Sequence, residues 1–560
     1  MPAKPDRQPV KHTPAGLAVF PVIIPFCERR IAGIIKFSRR QILQKRLFRP
    51  IDFSWKLLFY VHIKPPQIPC VGFQVIHIKI YRPLQNSVIK ENRGVIRHQS
   101  IRDHIQVTDV CICRNGNQKV LQFRIILLLL SMWDLWMTRF TYRTDGLEKL
   151  GRDEPCLVLM NHSSFIDLKI ASRLLVTRPF HIICTSDGFV GKRWLMRLIG
   201  CIPTRKFMMD VTLVRDMVYA VRELKSSILM FPEASYSFDG TQTPLPESLG
   251  KCLKLLKVPV VMIRTKGAFA RDPLYNNLQL RKVRVSAEVE YLLSPEDIAL
   301  KSPQELNDIL REKFTFDYFK WQQENKIRVA EPFRADGLNR MLYKCPRCKT
   351  EGQMLGQGTK IGCRCCGETY ELTEYGYLQA AEDADEEAAA AAGVAKMSAD
   401  AEAGAALTET TADAETGLAA EVAAATGGQR QFTHIPDWYR WERECVRQEL
   451  EAGTYRLEVP VTIYMLVNTD CVYQVGEGTL VHTREGFHLT GCDGRLDYRQ
   501  EPQASYSLYS DFYWYEIGDV ICIGDVRAQY YCFPQNCGDI VAKARLATEE
   551  LYKLLQQKAS

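Results

Sequence analysis

Short apolar runs alternate with amphipathic stretches through the middle of the chain. Helical spacing of apolar residues marks the stretches 189–199 and 211–224. A capping-box pair, Ser302 and Glu305, predicts a further helix that runs to about Phe319. The apolar runs have the length and the β-branched content of buried strands, and they are residues 156–160, 181–184, 228–231, 258–263 and 283–293. Strands alternating with helices predict an α/β domain over residues 133–325, with a central β layer flanked by helices.

One longer apolar run, residues 125–137, precedes this domain. It is broken by Ser131 and Asp134, and it falls short of the roughly 18 residues that a membrane span requires. Two interpretations of it are open. Trp133 and Trp136 suit a helix at a membrane interface. A buried helix at the start of the domain is equally compatible with the pattern.

Residues 1–120 show no sustained period of two or of 3.6, and prolines interrupt most candidate elements. They hold 21 Lys and Arg against 6 Asp and Glu, a balance of +15, so the rest of a chain with net charge +8 carries −7. A nucleic-acid-binding arm would explain the basic charge. We favour an unassigned basic extension without structure, or the product of a start codon placed too early, with Met132 or Met137 as the true start.

The last third of the chain divides into a linker and a second domain. Residues 379–430 are rich in Ala and Glu and have no aromatic residues, so they are predicted to be a linker that forms no core. Residues 431–560 begin with Trp438, Tyr439 and Trp441 and continue in short β-type runs. They predict a small β-sandwich or barrel that ends in a helix over about 539–555. This domain also looks weakly like a GRAM or pleckstrin-like module.

The candidate catalytic residues follow the first strand directly, in the sequence Asn161-His162-Ser163-Ser164-Phe165-Ile166-Asp167. A histidine can take a proton from a hydroxyl near neutral pH, and a nearby carboxylate can hold its ring in one tautomer. The end of a buried strand is where such side chains face a cleft in α/β folds. A serine hydrolase is not indicated, because no Gly-x-Ser-x-Gly elbow surrounds the two serines.

Three further segments accompany this one. They are Gly200–Lys206, the block Phe231-Pro232-Glu233-Ala234-Ser235-Tyr236-Ser237, and the Pro259-containing strand start at 258–261. In this order and at these spacings, the four segments resemble the glycerolipid acyltransferase family, typified by the lysophosphatidic acid acyltransferases. The resemblance covers about residues 135–320.

The resemblance implies transfer of a fatty acyl group from acyl-CoA or an acyl carrier protein to the hydroxyl of a lysophospholipid. The acceptor most directly implied is 1-acylglycerol-3-phosphate, in phospholipid biosynthesis. His162 would act as the base, Asp167 would orient it, and Arg205 with Lys206 would hold the acceptor phosphate. The other candidate substrate-binding residues are Asn161, Glu233, Ser235 and Tyr236.

The third segment departs from the family pattern. Ala234 stands in place of Gly, Ser235 in place of Thr, and Tyr236 in place of an Arg that helps to bind phosphate. Tyr236 keeps a hydrogen-bond donor but no charge. The acceptor is therefore open: another lysophospholipid, or a different hydroxyl or amine. A purely structural role at the strand end is an alternative for Glu233 and Tyr236.

Five of the 19 cysteines cluster in a short segment after the α/β domain. Cys345 and Cys348 form one Cys-x-x-Cys pair, and Cys363 and Cys366 form a second. Two such pairs supply four thiolates for a tetrahedral zinc, so residues 340–378 are predicted to be a zinc ribbon with a structural metal. Cys365 is the spare thiol. Scattered thiols beside one such cluster indicate a reducing compartment.

These observations favour an enzyme that acts at a membrane surface. No signal peptide is recognised. We expect a peripheral protein at the cytoplasmic, inner face of the cell membrane, with a lysophospholipid and an acyl thioester as partners, an acyl carrier protein as a further one, and no nucleic acid. The alternatives are a lipid-binding or regulatory protein with an altered site and, less favoured, a nucleic-acid-binding zinc-ribbon protein.

Overall fold

The computed structural model describes residues 89–91, 121–207, 211–380, 432–467, 471–515, 517–525, 528–535 and 539–559. The sequence predictions for the basic extension and for the linker fall outside these residues, except at residues 89–91 of the extension and 379–380 of the linker. Within the extension, the short strand β1 (Ile89–Glu91) pairs in parallel with residues 472–474 of the C-terminal domain.

The first domain is built on a seven-stranded sheet with the order β2-β8-β7-β3-β6-β4-β5. Neighbouring strands are parallel except for β7 and β8, which are antiparallel. The strands are β2 (Thr141–Asp145), β3 (Leu157–Met160), β4 (Phe180–Thr185), β5 (Cys201–Thr204), β6 (Ser227–Met230), β7 (Val260–Lys266) and β8 (Ser286–Leu293). The predicted α/β class is confirmed, and the four residues of β3 lie fully buried at its centre.

Nine α-helices of the described chain accompany this sheet. They are α1 (Leu121–Met137), α2 (Ile166–Leu174), α3 (Arg193–Leu198), α4 (Val211–Arg222), α5 (Leu249–Leu256), α6 (Ala268–Arg271), α7 (Pro295–Leu300), α8 (Pro303–Phe314) and α9 (Tyr318–Glu324). Helices α4, α5 and α8 share one apolar core with β3, β6 and β7. The capping box of Ser302 and Glu305 is present at the start of α8. The helix predicted to reach Phe319 ends earlier, at Phe314, because Asp317 caps the new helix α9.

Helix α1 has two unlike faces. Leu127, Ser131 and Asp134 are buried, whereas Leu129, Trp133 and Trp136 are 66%, 61% and 67% exposed. The buried face agrees with a helix packed at the start of the domain, and the membrane-interface interpretation of the exposed tryptophans stays a prediction. Within the described residues, we find no helix whose length and apolar character would let it cross a bilayer.

The cysteine-rich segment forms a small antiparallel sheet with the order β12-β11-β10-β9. Its strands are β9 (Met354–Gln357), β10 (Lys360–Cys363), β11 (Thr369–Leu372) and β12 (Leu378–Ala380). Its buried residues belong to one apolar cluster with α9 and with the C-terminal domain. The cysteine-rich segment is thus packed against α9 and the C-terminal domain and shares their apolar core.

The C-terminal domain is β-rich and ends in a helix, as predicted. Its elements are α10 (Ile435–Ala452), β13 (Leu457–Val467), β14 (Cys471–Thr483), β15 (Gly486–Gly491), β16 (Leu496–Gln500), β17 (Tyr509–Trp514), β18 (Gly518–Gly524), β19 (Gln529–Pro534) and α11 (Ile540–Ala559). The strands form one hydrogen-bonded sheet with the order β16-β15-β14-β13-β19-β18-β17, where the sequence predicted a sandwich or a barrel. The long β13 joins the two halves because it pairs with both β14 and β19. The aromatic start of the domain lies in helix α10. The comparison with GRAM and pleckstrin-like modules stays a prediction.

Candidate active site

His162 and Asp167 meet across the turn between β3 and α2. The distance from His162 Nδ1 to Asp167 Oδ2 is 3.1 Å, and the Asp167 side chain is fully buried. The same carboxylate oxygen accepts hydrogen bonds from the backbone N–H of Ser163, at 2.7 Å, and of Ser164, at 3.0 Å. Asp167 lies in the first turn of α2, where the helix dipole favours a negative charge. The carboxylate is thus held in place independently of the histidine.

This contact selects one tautomer of His162. When Nδ1–H donates to Asp167, Nε2 carries no proton and is the atom able to take one from a substrate hydroxyl. The His162 ring is stacked between Phe231, at a centroid distance of 4.1 Å, and Tyr236, at 4.0 Å. About a fifth of its side chain stays exposed. The hydrogen bond to Asp167 and the stacking on Phe231 and Tyr236 therefore orient the imidazole, while its exposed part is accessible to a substrate.

Burial lowers the pKa of His162, and the positive charge of Lys206 lowers it further, while Asp167 acts in the opposite direction. Because the net pKa is below the ordinary 6.5, His162 is neutral at physiological pH. A neutral imidazole is the form that a general base requires. Burial thus keeps His162 in the neutral form that can accept a proton.

The pH dependence of the rate follows from this shift. As the pH falls, activity is expected to decline only where His162 becomes protonated, so kcat/KM should keep its neutral-pH value down to pH 6.5 and decline below it. Burial also raises the pKa of the neighbouring Glu233 to about 7. The profile should therefore be measured in the wild type and in Glu233→Gln, which removes that second titration. A decline in Glu233→Gln centred above pH 6.5 would show that His162 is not the neutral base described.

Asn161, which follows β3, is hydrogen-bonded to β7. Its Oδ1 accepts a hydrogen bond from Thr265 N at 2.7 Å, and its Nδ2 donates to Ser163 Oγ and to Thr265 O. The Thr265 hydroxyl also lies 3.5 Å from Asp167 Oδ1. The Asn161 amide, which was predicted to bind substrate, is thus hydrogen-bonded to other residues of the protein. These bonds hold the end of β3 against β7, next to the turn between β3 and α2.

Glu233 has a similar supporting position. One carboxylate oxygen accepts from His162 N at 2.8 Å and the other from Thr243 N at 2.9 Å. Only 3% of the residue is exposed. Glu233 therefore connects the backbone of His162 to that of Thr243, and a substrate-binding role for it stays a prediction.

Ser235 and Tyr236 also support the site. Ser235 is buried and its hydroxyl accepts a hydrogen bond from Arg545 Nη2 at 3.1 Å. Arg545 belongs to α11, and its guanidinium lies 4.2 Å from the centre of the Phe238 ring. The C-terminal helix thus reaches the loop that carries Tyr236, the residue stacked on His162.

Arg205 and Lys206 lie at the end of β5, on the side of the site that faces the C-terminal domain. The Arg205 side chain has no hydrogen bond or ion pair within the part of the chain that the structure describes. Lys206 Nζ lies 4.0 Å from the centre of the Tyr509 ring. Its positive charge opposes the protonation of His162 and partly offsets the effect of burial on the pKa of Asp511. Lys206 is therefore close enough to interact electrostatically with both residues.

Strand β17 forms the wall beside these cations. The hydroxyl of Tyr509 donates to Asp187, and Trp514 Nε1 donates to the same carboxylate at 3.2 Å. The next aromatic residue, Tyr515, donates to the Asp187 carbonyl at 2.9 Å. Burial raises the pKa of Asp511 to about 7. None of these contacts could be inferred from sequence, because about 320 residues separate the partners.

The four predicted metal ligands converge. The Sγ atoms of Cys345, Cys348, Cys363 and Cys366 lie within 4.8 Å of one another. The pairs Cys345–Cys366 and Cys348–Cys363 are each 3.6 Å apart, close to the roughly 3.8 Å between thiolates around a tetrahedral zinc with bonds of about 2.3 Å. Cys365 is exposed and outside this group. The donors therefore fit a metal with tetrahedral thiolate coordination.

The two knuckle turns have the same backbone geometry. Lys349 follows the first pair with φ 62°, and Gly367 follows the second with φ 77°. Their N–H groups donate to the carbonyls of Cys345 and Cys363 at 3.0 and 2.9 Å. Glycine adopts this left-handed conformation without strain, so Gly367 suits the second turn.

Comparisons with known proteins agree with this geometry. Residues 141–266 match the family model described as Acyltransferase. The 1-acyl-sn-glycerol-3-phosphate acyltransferase BAT2, chloroplastic, of Brassica napus is 32% identical over 134 residues, which are 22% of this chain and 38% of that protein. The crystal structure of the 1-acyl-sn-glycerophosphate (LPA) acyltransferase PlsC from Thermotoga maritima has 17% identity and a TM-score of 0.27, covering 35% of this chain and 78% of that one. That score is too low to establish a common fold.

The matched segment contains β2 to β7 together with both catalytic candidates. Residues 141–266 therefore form an acyltransferase domain. Within that class, the domain is similar to a glycerolipid acyltransferase, and the resemblance that the sequence motifs indicated is confirmed for this segment. The chain spans 38% of the length of its curated relative, so activity and substrates of the whole protein are matters of proposal.

Proposed function

We propose that the protein transfers a fatty acyl group from acyl-CoA or an acyl carrier protein to the free hydroxyl of a lysophospholipid. The first acceptor to test is 1-acylglycerol-3-phosphate, and the biological role is phospholipid synthesis. The observation that carries the proposal is the His162–Asp167 pair, with its buried carboxylate and its partly exposed imidazole. The acyltransferase family match over the same residues supports it.

The geometry supports a direct transfer. His162 Nε2 takes the proton of the acceptor hydroxyl as that oxygen attacks the carbonyl carbon of the thioester. The carbon–sulfur bond then breaks, and the thiol leaves with the proton that His162 returns. Asp167 stabilises the imidazolium between these two steps. No acyl group becomes attached to the enzyme in this sequence.

Arg205 is proposed to hold the acceptor phosphate. A guanidinium binds phosphate through paired charge-assisted hydrogen bonds, each stronger than a neutral one. Arg205→Ala is therefore expected to raise KM for lysophosphatidic acid about 10- to 100-fold and to change kcat little. Steady-state kinetics with varied acceptor measure this, and Arg143→Ala, at an exposed site on β2, is a matched control. An unchanged KM would remove Arg205 from the acceptor site.

The exposed face of α1 is proposed to place the protein at a membrane surface. Trp133 and Trp136 have ring centroids 5.4 Å apart and stand exposed beside Leu129. Indole rings favour the lipid–water interface. Together with the reduced thiols, this supports a peripheral position at the inner, cytoplasmic face of the cell membrane.

The membrane proposal is tested by vesicle co-sedimentation. Burying a large apolar side chain contributes roughly 1.5–3 kcal/mol. Trp133→Ala combined with Trp136→Ala should therefore lower the partition coefficient at least about tenfold. Leu300→Ala, at an apolar residue on α7 that is 85% exposed, serves as the control and should bind as the wild type does. Equal partitioning of all three proteins would reject α1 as the membrane contact.

The four-cysteine site is proposed to hold zinc with a structural role. Four thiolates leave no open coordination position for a substrate or water, so the metal takes no part in acyl transfer. Its expected contribution is to fix the ribbon between the acyltransferase domain and helix α10.

The proposed activity is tested by offering purified full-length protein a set of lysophospholipids with acyl-CoA or acyl carrier protein as donor. Mass spectrometry of the lipids identifies any diacylated product. A product with one or more acceptors is expected. If every combination yields none from folded protein, the lipid-binding alternative replaces the enzyme proposal.

A further inference from the structure

A network of buried charged residues connects helix α1 to the turn between β3 and α2, residues 161–165, which is called the catalytic turn below. Asp134, on the inner face of α1, pairs with Lys169 of α2. The other Asp134 carboxylate oxygen lies 3.2 Å from Arg271 Nη2, in α6. The side chains of all three residues are at most 5% exposed. One carboxylate from α1 thus binds cations on two elements that flank the site.

The network continues from Arg271 to Ser164, in the turn that precedes α2. Arg271 Nη1 lies 2.9 Å from Asp272 Oδ2, and Asp272 Oδ1 accepts the hydrogen bond of the Ser164 hydroxyl. Ser164 is 1% exposed. Its backbone N–H is one of the donors that hold Asp167, at 3.0 Å. An unbroken series of contacts therefore runs from Asp134 through Arg271, Asp272 and Ser164 to Asp167.

The composition of the network points to positioning rather than to stability. Among the described residues it contains two carboxylates and two cations, and each of them takes part in an ion pair. Buried ion pairs add little stability beyond what apolar residues of the same size provide, because desolvation offsets their attraction. Their geometry is strict, however, and the planar guanidinium of Arg271 bridges two carboxylates in fixed directions.

We propose that Asp134, Arg271 and Asp272 are positioning residues for the acyl transfer proposed above, on which this inference rests. Through Ser164, they fix the turn whose backbone holds Asp167, and with it the direction of His162 Nε2. The packing of α1 on the domain therefore contributes to kcat. The two faces of α1 serve separate purposes: the outer face meets lipid, and the inner face sets the geometry of the base.

The central test compares two buried serines. Ser164→Ala cuts the link to Asp272 and leaves the four charges paired. Ser172→Ala removes a buried hydroxyl of α2 that donates to the Leu168 carbonyl at 2.8 Å, and it is the matched control. With a short-chain, water-soluble acceptor and acyl-CoA, Ser164→Ala should lower kcat about tenfold and leave KM within twofold. Ser172→Ala should show no such loss specific to kcat.

Two measurements exclude a loss that reflects only weaker folding. All rates are taken at least 15 °C below each variant's thermal midpoint and are expressed per folded protein. Asp272→Asn is combined with Ser164→Ala in a double-variant cycle. If the effect passes through Ser164, the double variant has the kcat of Ser164→Ala alone, whereas losses that multiply overturn the link.

Asp134→Asn extends the test to α1 and should lower kcat in the same manner. Should that variant not fold, the serine pair and the cycle still decide. A kcat within twofold of wild type for Ser164→Ala overturns the inference and leaves the proposed function standing. A wild type that transfers no acyl group to any acceptor overturns both.

Discussion

Replacement of His162 by alanine is expected to lower kcat by about 10³-fold, within the 10²- to 10⁴-fold range that a positioned general base contributes. The reason lies in three contacts of the imidazole: the 3.1 Å bond to Asp167 and the two stacked rings of Phe231 and Tyr236. No other described histidine contacts Asp167, so a substitute base is not at hand.

The control for this variant is His488→Ala. His488 lies on the C-terminal sheet and pairs with Asp497 at 2.9 Å, far from Asp167 in the chain. It should retain wild-type kcat. Asp167→Asn should lose activity nearly as fully as His162→Ala, because an amide cannot accept both the imidazole N–H and the two backbone donors in the same way. Retention of more than a tenth of wild-type kcat by His162→Ala would contradict the assignment of the base.

Loss of the metal site has the second largest expected effect, on stability instead of rate. Structural zinc contributes apparent binding energies of about 10–16 kcal/mol in small zinc-finger peptides. A smaller loss is expected here, on the order of several kcal/mol, because the ribbon also has an apolar core shared with its neighbours. Cys348→Ser, or treatment with a strong chelator, should therefore lower the thermal midpoint by more than 10 °C.

The contacts of the cysteine-rich segment with α10 explain why loss of the metal would also destabilise the C-terminal domain. Lys344, next to the first ligand pair, donates its backbone N–H to Glu442 at 2.8 Å and accepts from Trp438 Nε1 at 3.0 Å, both in α10. The exposed thiol Cys365 offers the matched control, since Cys365→Ser keeps all four ligands. Metal content and thermal unfolding are measured together. A Cys348→Ser protein with unchanged metal content and midpoint would show that the cysteines hold no structural metal.

The local parts of the site were predictable from sequence because they follow from a short stretch of chain. A buried strand, a turn and a helix start bring His162 to Asp167, and only four residues lie between them. The ribbon was predictable for the same reason, since two Cys-x-x-Cys pairs fix their own spacing. Strand β2 was missed because all five of its residues are exposed and carry no apolar pattern.

The supporting contacts were not predictable because they join distant segments. Thr265 and Asp272 lie about 100 positions from the catalytic turn, and Tyr509 and Arg545 come from another domain. Sequence motifs also could not separate substrate contact from internal support. Asn161 and Glu233 are polar residues beside the base, and their polar atoms prove to be bonded to the protein itself.

The C-terminal domain changes the view of the acceptor pocket. Tyr509 covers the ammonium of Lys206, while the guanidinium of Arg205 has no hydrogen bond or ion pair to any residue that the structure describes. Arg205 and Lys206, which were both predicted to bind the acceptor phosphate, therefore have different surroundings. Phosphate contact stays a prediction for both, and the kinetics of Arg205→Ala address the one that is available.

The most direct test of the central claim is a labelling experiment with full-length protein. Acyl-CoA carrying a radioactive acyl group is mixed with lysophosphatidic acid and with other lysophospholipids, and wild type and His162→Ala are run in parallel. The expected result is label in a diacylated phospholipid with the wild type and almost none with the variant. Equal labelling by both proteins, or label found only in free fatty acid, would contradict acyl transfer by the His162–Asp167 pair.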